Sequence, residues 1–349
     1  MNRDELVALI QRGEVIARCD LGGMDLKGAN LSGAIFEEVS LRGAEMRGAT
    51  LKESTLIGCD LTGVNLAEAN LHHTGFVKGT LSEATLAGAY LASAKLAETD
   101  LSFADLSSAN LVIAALVKPN LTGANLTKAN LDRTSLIEAS VTNLNLASAT
   151  LKQAVMMGLD LTTVTLTGAT FANAVLIGSR LAGMSLAGMD FTLSQLMGCD
   201  LGGAHLSGAT LTQCNFKDAD LSGANLSGAT ATRALFVGAR VRGASFQGTR
   251  ITQSIFIGAD LSGADLSGAA ADQCILTRAS CVGTRFVGAD LTYADFAHAD
   301  ISEADFTRAT LFRARFHRTR EERTIAFARA TALGDDEALA EAERWMPKR

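Results

Sequence analysis

The 349-residue chain is 48% hydrophobic, carries a formal net charge of −6 and shows no basic patch with interleaved aromatics, so direct nucleic-acid binding is not expected. No run of eighteen apolar residues occurs, which excludes a helical membrane span. Residues 1–14 are too charged for a secretory signal, and a cytoplasmic protein is expected.

Residues 2–12 (NRDELVALIQR) read as a short helix. Asn2 and Glu5 fit a capping box, Leu6, Leu9 and Ile10 form an apolar face, and Gly13 is a natural stop. Residues 1–18 are therefore assigned as a cap, since an open solenoid end would leave backbone groups free to pair end to end.

From residue 21 to residue 316 the sequence repeats every five residues, sixty times, without a slip. The centre of each repeat is large and apolar, as in Leu21, Leu26, Leu31 and Phe36; the smaller exceptions are Ala231, Ala271 and Cys281. Two residues before each centre sits a small residue, and just before it Asp, Asn, Ser or Thr. A period of five fits neither an amphipathic helix nor an alternating strand. It fits a chain that turns a corner at each repeat, with the large centre filling the interior. Seven Phe centres, Phe36, Phe76, Phe216, Phe236, Phe256, Phe296 and Phe316, are spaced by multiples of twenty, so four repeats make one circuit. Residues 19–319 then give about 15 square coils, stacked at about 4.8 Å. Although the length would suit two ordinary domains, an unbroken repeat argues for one elongated solenoid.

Of the 33 glycines, 27 fall two residues after a centre, where a corner needs positive φ. Pro119 takes a small inward position without an amide proton, and a local defect in the ladder is expected there. After Phe316 the pattern stops. Residues 320–333 read as a helix ended by Gly334, and Asp335 or Asp336 caps a second helix from Glu337 to Met346. Residues 320–349 are thus a helical cap or a dimerisation tail, with Ile325, Leu333, Leu339 and Trp345 to bury.

Segments such as Ala124-Asn125-Leu126-Thr127-Lys128 and Ala264-Asp265-Leu266-Ser267-Gly268 resemble the pentapeptide repeat family, whose motif is A(D/N)LXX. The resemblance covers about 85% of the chain. It implies an all-β solenoid, a right-handed quadrilateral parallel β-helix, here with short helical caps at both ends.

No catalytic, cofactor-binding or metal site stands out. None of the common hydrolase, metalloprotease or phosphate-loop motifs occurs, and a filled interior offers no pocket for a small-molecule substrate. The six cysteines sit at interior positions and read as small hydrophobes. His72 and His73 are adjacent, while His298 and His317 fall about one coil apart. Asp20, Asp60, Asp100, Asp160, Asp200, Asp220, Asp260 and Asp300 share one register and read as corner residues bonding nearby backbone. Arg180 and Arg240 interrupt that ladder, which argues against calcium.

One register departs from the others. The residues flanking its centres include Ile57, Val77, Val117, Ile137, Val155, Met157, Val175, Ile177, Met197, Leu235, Val237, Ile255, Ile257 and Ile275. One side of the solenoid should therefore present an apolar strip about 48 Å long from Ile57 to Ile257. At about 10 Å width it would cover about 500 Å², near the top of what monomers leave exposed. β-branched residues favour extended backbone generally, but that does not explain the choice of one register among four. A docking surface for a protein partner or for a second copy of the chain is expected. The resemblance adds two functional expectations: an accessory role in bacterial type VI secretion, and, as the alternative, a DNA-mimicking inhibitor or protector of DNA gyrase. A 70 Å duplex mimic would need roughly 40 uncompensated negative charges, whereas this chain's formal net charge is −6.

Overall fold

In the computed structural model, which describes residues 1–344, the chain forms two compact units, Met1–Arg180 and Leu181–Arg349. Helix α1 (Arg3–Gln11) opens the first unit. The Asn2 side chain accepts from the Glu5 amide, and the Glu5 carboxylate accepts from the Asn2 amide, both at 2.9 Å. Leu6 and Ile10 are buried, and Gly13 ends the helix at φ +74°.

Strands β1 (Ile16–Ala17), β2 (Ile35–Glu37), β3 (Thr55–Ile57), β4 (Gly75–Val77), β5 (Lys95–Ala97), β6 (Ala115–Val117) and β7 (Ser135–Ile137) follow. They form one parallel sheet in sequence order. Partners lie twenty residues apart, as in Phe36↔Leu56 and Leu56↔Phe76, so each circuit holds four pentapeptides. This continuous sheet has seven strands, fewer than the 15 coils expected; elsewhere the same twenty-residue register runs through single bridges, such as Asn30↔Thr50 and Leu235↔Ile255. Each of the four walls is named here by its first full centre: Leu21, Leu26, Leu31 and Phe36.

The side-chain directions follow from place in the five. Centres such as Leu26, Leu31 and Phe36 are fully buried, and Ala29 and Ala34, two residues before the last two, are buried as well. Where Ser or Thr replaces that alanine, its hydroxyl donates inward. Ser54 bonds the Leu31 carbonyl at 2.8 Å and Thr74 the Leu51 carbonyl at 2.7 Å; in the second unit Thr249 bonds Leu226 at 2.9 Å. The interior thus accepts a buried hydroxyl at no unpaired cost.

All 27 repeat glycines two residues after a centre have positive φ. Other residues at that corner are forced into the same region, among them β-branched Ile113 at φ 61° and 53% exposed. The left-handed region costs an L-residue about 1–2 kcal/mol, while glycine adds about 0.5–1 kcal/mol of chain entropy. Ile113→Gly should therefore stabilise the first unit by roughly 0.5–1 kcal/mol, read as a raised urea midpoint; an unchanged or lowered midpoint contradicts this account of the corner.

The defect expected at Pro119 does not occur. Its neighbours keep the ladder: the Lys118 amide donates to Ile137 at 2.8 Å, Asn120 to Thr99 at 3.0 Å, and Pro119 itself accepts from Ser140 at 2.9 Å. The equivalent amides of Val39, Cys59, Gly79 and Thr99 have no backbone partner among the described residues. Proline falls at a step where the coil uses no amide proton, so it costs no bond.

In the second unit, Phe216, Phe236 and Phe256 stack with centroids 4.9 and 4.6 Å apart. At its C-terminal end the expected helix over 320–333 is replaced by further coil. Arg320 bridges Asp300, Ile325 bridges Asp305, and the Thr324 hydroxyl reaches the Ile301 carbonyl at 3.1 Å, the same 23-residue bond as at other inward hydroxyls. Helix propensity loses here to the unpaired edge of the preceding coil. Phe327 then packs on Phe306 and Phe316, 5.3 and 4.7 Å between centroids, and closes the interior. A short 3-10 turn (Arg329–Thr331) leads to helix α2 (Glu337–Arg344), capped by Asp336, whose carboxylate accepts from the Leu339 amide at 2.9 Å.

Candidate interaction wall

The parallel register puts the flanking residues of the Phe36 wall on one face within each unit. In the first, Ile57, Val77, Ala97, Val117 and Ile137 pair in succession, and Ser135, Val155 and Val175 continue the bridges. In the second, Leu235, Ile255 and Ile275 pair in succession. None of the fourteen expected wall residues is buried. Ile57, Val117, Ile137, Met157 and Ile257 are exposed, and Val77, Val155, Val175, Ile177, Met197, Leu235, Val237, Ile255 and Ile275 are half-buried. Their side chains point outward because the centre beside each points in.

Backbone preference explains part of this choice. Among the described residues, three-residue strands form only on the Phe36 wall, where Ile57, Val77, Val117 and Ile137 suit extended structure. It does not explain the rest. Beyond Ile137 the wall is built of single bridges like its neighbours, yet Met157, Met197 and Leu235, which are not β-branched, still occupy it.

Other exposed apolar side chains lie off this wall. Phe103, Ile113, Leu193 and Tyr293 all stand at the corner two residues after a centre, and Tyr90 and Phe312 flank centres of the Leu31 wall. The signal was their departure from glycine at that corner. Tyr293 and Phe312 meet edge to face at 5.8 Å.

Of the four tail residues, Ile325 and Leu333 are more than half exposed and lie in bridge positions rather than on a helix. Leu339 is half-buried on α2, and Trp345 falls outside the described residues. Helix α2 lies against the last coils of the Phe36 wall. His317, on that wall, is fully buried; its Nδ1 accepts from the Asp336 amide at 3.1 Å, and its Nε2 stands 3.4 Å from Glu343.

The acidic ladder is engaged in bonding. Each of its eight aspartates accepts through Oδ1 from the amide two residues on, as from Gly22, Thr62, Ser102 and Thr162 and from Gly202, Ser222, Ser262 and Ser302. Arginines face five of them: Arg42 with Asp60, Arg180 with Asp160, Arg240 with Asp220, Arg242 with Asp260 and Arg320 with Asp300. Hydrogen bonds from Thr162 hold the Asp160 carboxyl below its ordinary range, and those from Thr307 do so for Asp305. At Asp60 and Asp220 burial pushes upward but is outweighed by Thr62 or Ser222 and the paired arginine. A carboxyl lowered on folding contributes stability above its unfolded value of about 3.9, and that contribution is lost as pH falls through the folded value. The urea midpoint should therefore drop below about pH 4, and Asp160→Asn with Asp305→Asn should flatten the drop; an unaltered slope would contradict the assignment.

The cysteines are interior, as expected, and Cys19 is half-buried. Cys214 and Cys274 donate to the Phe191 and Ile251 carbonyls at 2.8 and 2.9 Å, and burial pushes both thiols up to about 12. His72 and His73 meet edge to face at 4.1 Å, and His72 stacks on Tyr90. His298 and His317 are neighbours, 5.4 Å between ring centroids. Among the described residues, no helix is long and apolar enough to cross a membrane.

A family model described as Pentapeptide repeats matches residues 120–153, 174–213, 194–230, 214–253, 254–292 and 289–320. Another, described as Pentapeptide repeat region, matches residues 29–106. No curated protein matches the chain. Among solved structures, the trypsin-treated form of QnrB1, a plasmid-mediated fluoroquinolone resistance protein, is 18% identical over 65% of this chain and 96% of its own, with TM-score 0.39. HetL, involved in heterocyst differentiation regulation in the cyanobacterium Nostoc sp. strain PCC 7120, is 28% identical over 80% and 96%, with TM-score 0.22. Rfr23 from the cyanobacterium Cyanothece 51142 is 28% identical over 36% and 85%, with TM-score 0.23.

Proposed function

The chain belongs to the pentapeptide repeat family, and on that premise we propose that it is a non-catalytic scaffold docking a partner protein along its Phe36 wall. The carrying observation is the outward apolar residues concentrated beside the centres of this wall, in both units. The proposed occupant is an amphipathic helix. The chain already lays its own α2 on the last coils of the same wall, with Leu339 and Ala340 half-buried and His317 covered. A helix reads such a surface through an apolar stripe and needs no deep pocket. A second copy of the chain could supply that helix by exchanging α2, which makes a homodimer the other outcome of the test.

DNA mimicry has less support, because the ladder acids bond the backbone and five of them face arginines. A cytoplasmic location and an accessory role in bacterial type VI secretion complete the proposal, and the identity of the captured partner tests both. The decisive experiment is a pull-down from the native host with the wild-type chain and with an Ile137→Asp, Met157→Asp, Ile177→Asp variant, alongside size-exclusion chromatography. The scaffold reading expects a partner, or self-association, that the variant loses. Equal capture and equal hydrodynamic size would end it.

A further inference from the structure

We propose that His298, His317 and Glu343 form a binding site for one divalent transition-metal ion of the zinc class, clasping α2 onto the last coils. The ligand atoms all lie within 4.8 Å of one another. His298 Nε2 stands 3.0 Å from Glu343 Oε1, and His317 Nε2 stands 3.4 Å from Glu343 Oε2. Tetrahedral zinc with bonds of about 2.0–2.2 Å sets neighbouring donors about 3.3 Å apart, so donors now up to 4.8 Å apart close by at most about 1.5 Å on binding.

Three separate segments supply the ligands. His298 and His317 come from successive coils, joined by the His298 amide donating to the His317 carbonyl at 2.8 Å, and Glu343 comes from α2. The pentapeptide pattern does not ask for histidine at either position. His317 is fully buried, while the His298 and Glu343 side chains are 30% and 28% exposed. The site is thus closed at the back and open toward solvent, with room for water as a fourth ligand. Two imidazoles and one carboxylate, without thiolate, suit zinc, nickel or cobalt rather than calcium or magnesium.

The proton balance is definable. With the Asp336 amide donating to His317 Nδ1, the ring proton sits on Nε2 and faces Glu343. A metal on Nε2 displaces that proton to Nδ1 of the same ring, which gives up the bond from the Asp336 amide and leaves the new N–H facing Asp335 Oδ1, 3.7 Å away, as a hydrogen-bond acceptor. Such a carboxylate behind the ring is the usual second partner of a ligating histidine. Arg318 Nη1, 2.7 Å from Glu343 Oε2, competes with the ion for that oxygen.

The test uses the tag-free full chain, stripped with chelator and titrated with Zn²⁺ by calorimetry and with Co²⁺ by visible absorption. One equivalent should bind, with the absorption of a four-coordinate nitrogen and oxygen site. His298→Ala and Glu343→Gln, both at partly exposed positions, should each weaken binding at least about tenfold. Zn²⁺ should also slow tryptic cleavage after Arg344 in the wild type alone. Absence of binding, or affinity unchanged in both variants, overturns the proposal; the latter would place the ion elsewhere, as on His72 and His73.

Discussion

Phe236→Ala should lower the stability of the second unit by about 3–5 kcal/mol, toward the top of the range for a buried aromatic. Phe236 is fully buried and lies nearly parallel to Phe216 and Phe256, at 6° and 4°, with Phe246 edge-on at 5.9 Å. Most cores soften such a loss by collapsing into the cavity. Here the backbone resists collapse, because the Phe216 amide is tied to Leu235 and the Phe236 amide to Ile255, both at 2.7 Å. Neighbouring coils cannot approach closer than those bonds allow, so the cavity stays open and the stacking on both faces is lost. The damage should also be local, since solenoid coils contact only their neighbours. Hydrogen exchange should accelerate first at the amides of residues 216–256, while those near α1 keep their protection. A midpoint shift worth less than about 1 kcal/mol would show that the coils do collapse.

The features legible in the sequence are those fixed by repetition. Place in the five set the direction of Leu26, Ala29 and Gly28, and place in the twenty set the partner of Leu56. The capping box of Asn2 and Glu5 is a local device, readable because it depends on four residues alone. What escaped was decided by neighbours in space. Residues 320–333 carry a helical pattern, with Glu321 at what would be a repeat centre, but the open edge at Asp300 and Asp305 drew Arg320 and Ile325 into bridges. Pro119 looked costly because its step was assumed to use an amide that the neighbouring coils leave free of backbone bonds. The approach of Glu343 to His298 and His317 joins residues 45 and 26 positions apart and follows from no period. The outward direction of the wall residues was legible; the contact of α2 with the same wall was not, and it is that contact which suggests the kind of occupant.

Charge on the Phe36 wall of the first unit should weaken partner binding at least about 100-fold, whereas the same charge on other walls should not. Ile137 and Met157 are 44% and 48% exposed and Ile177 is half-buried, so docking removes up to about half of each side chain from water. Full burial of such a side chain is worth about 1.5–3 kcal/mol, and half of that over three residues gives roughly 3 kcal/mol, about two decades in Kd. Aspartate adds the cost of an unpaired buried charge. The control is Thr142→Asp, Lys152→Asp and Thr167→Asp, a charge change of −4 against −3, at positions just after the centres Val141, Leu151 and Leu166 of the three other walls. Both triple variants add acidic charge to outward positions of the same unit and leave the interior untouched, so both should melt near the wild type. A docking surface on one wall predicts that only the first loses the partner. If both lose it equally, net charge rather than the apolar strip governs association; if neither does, the docking role of this wall is ruled out.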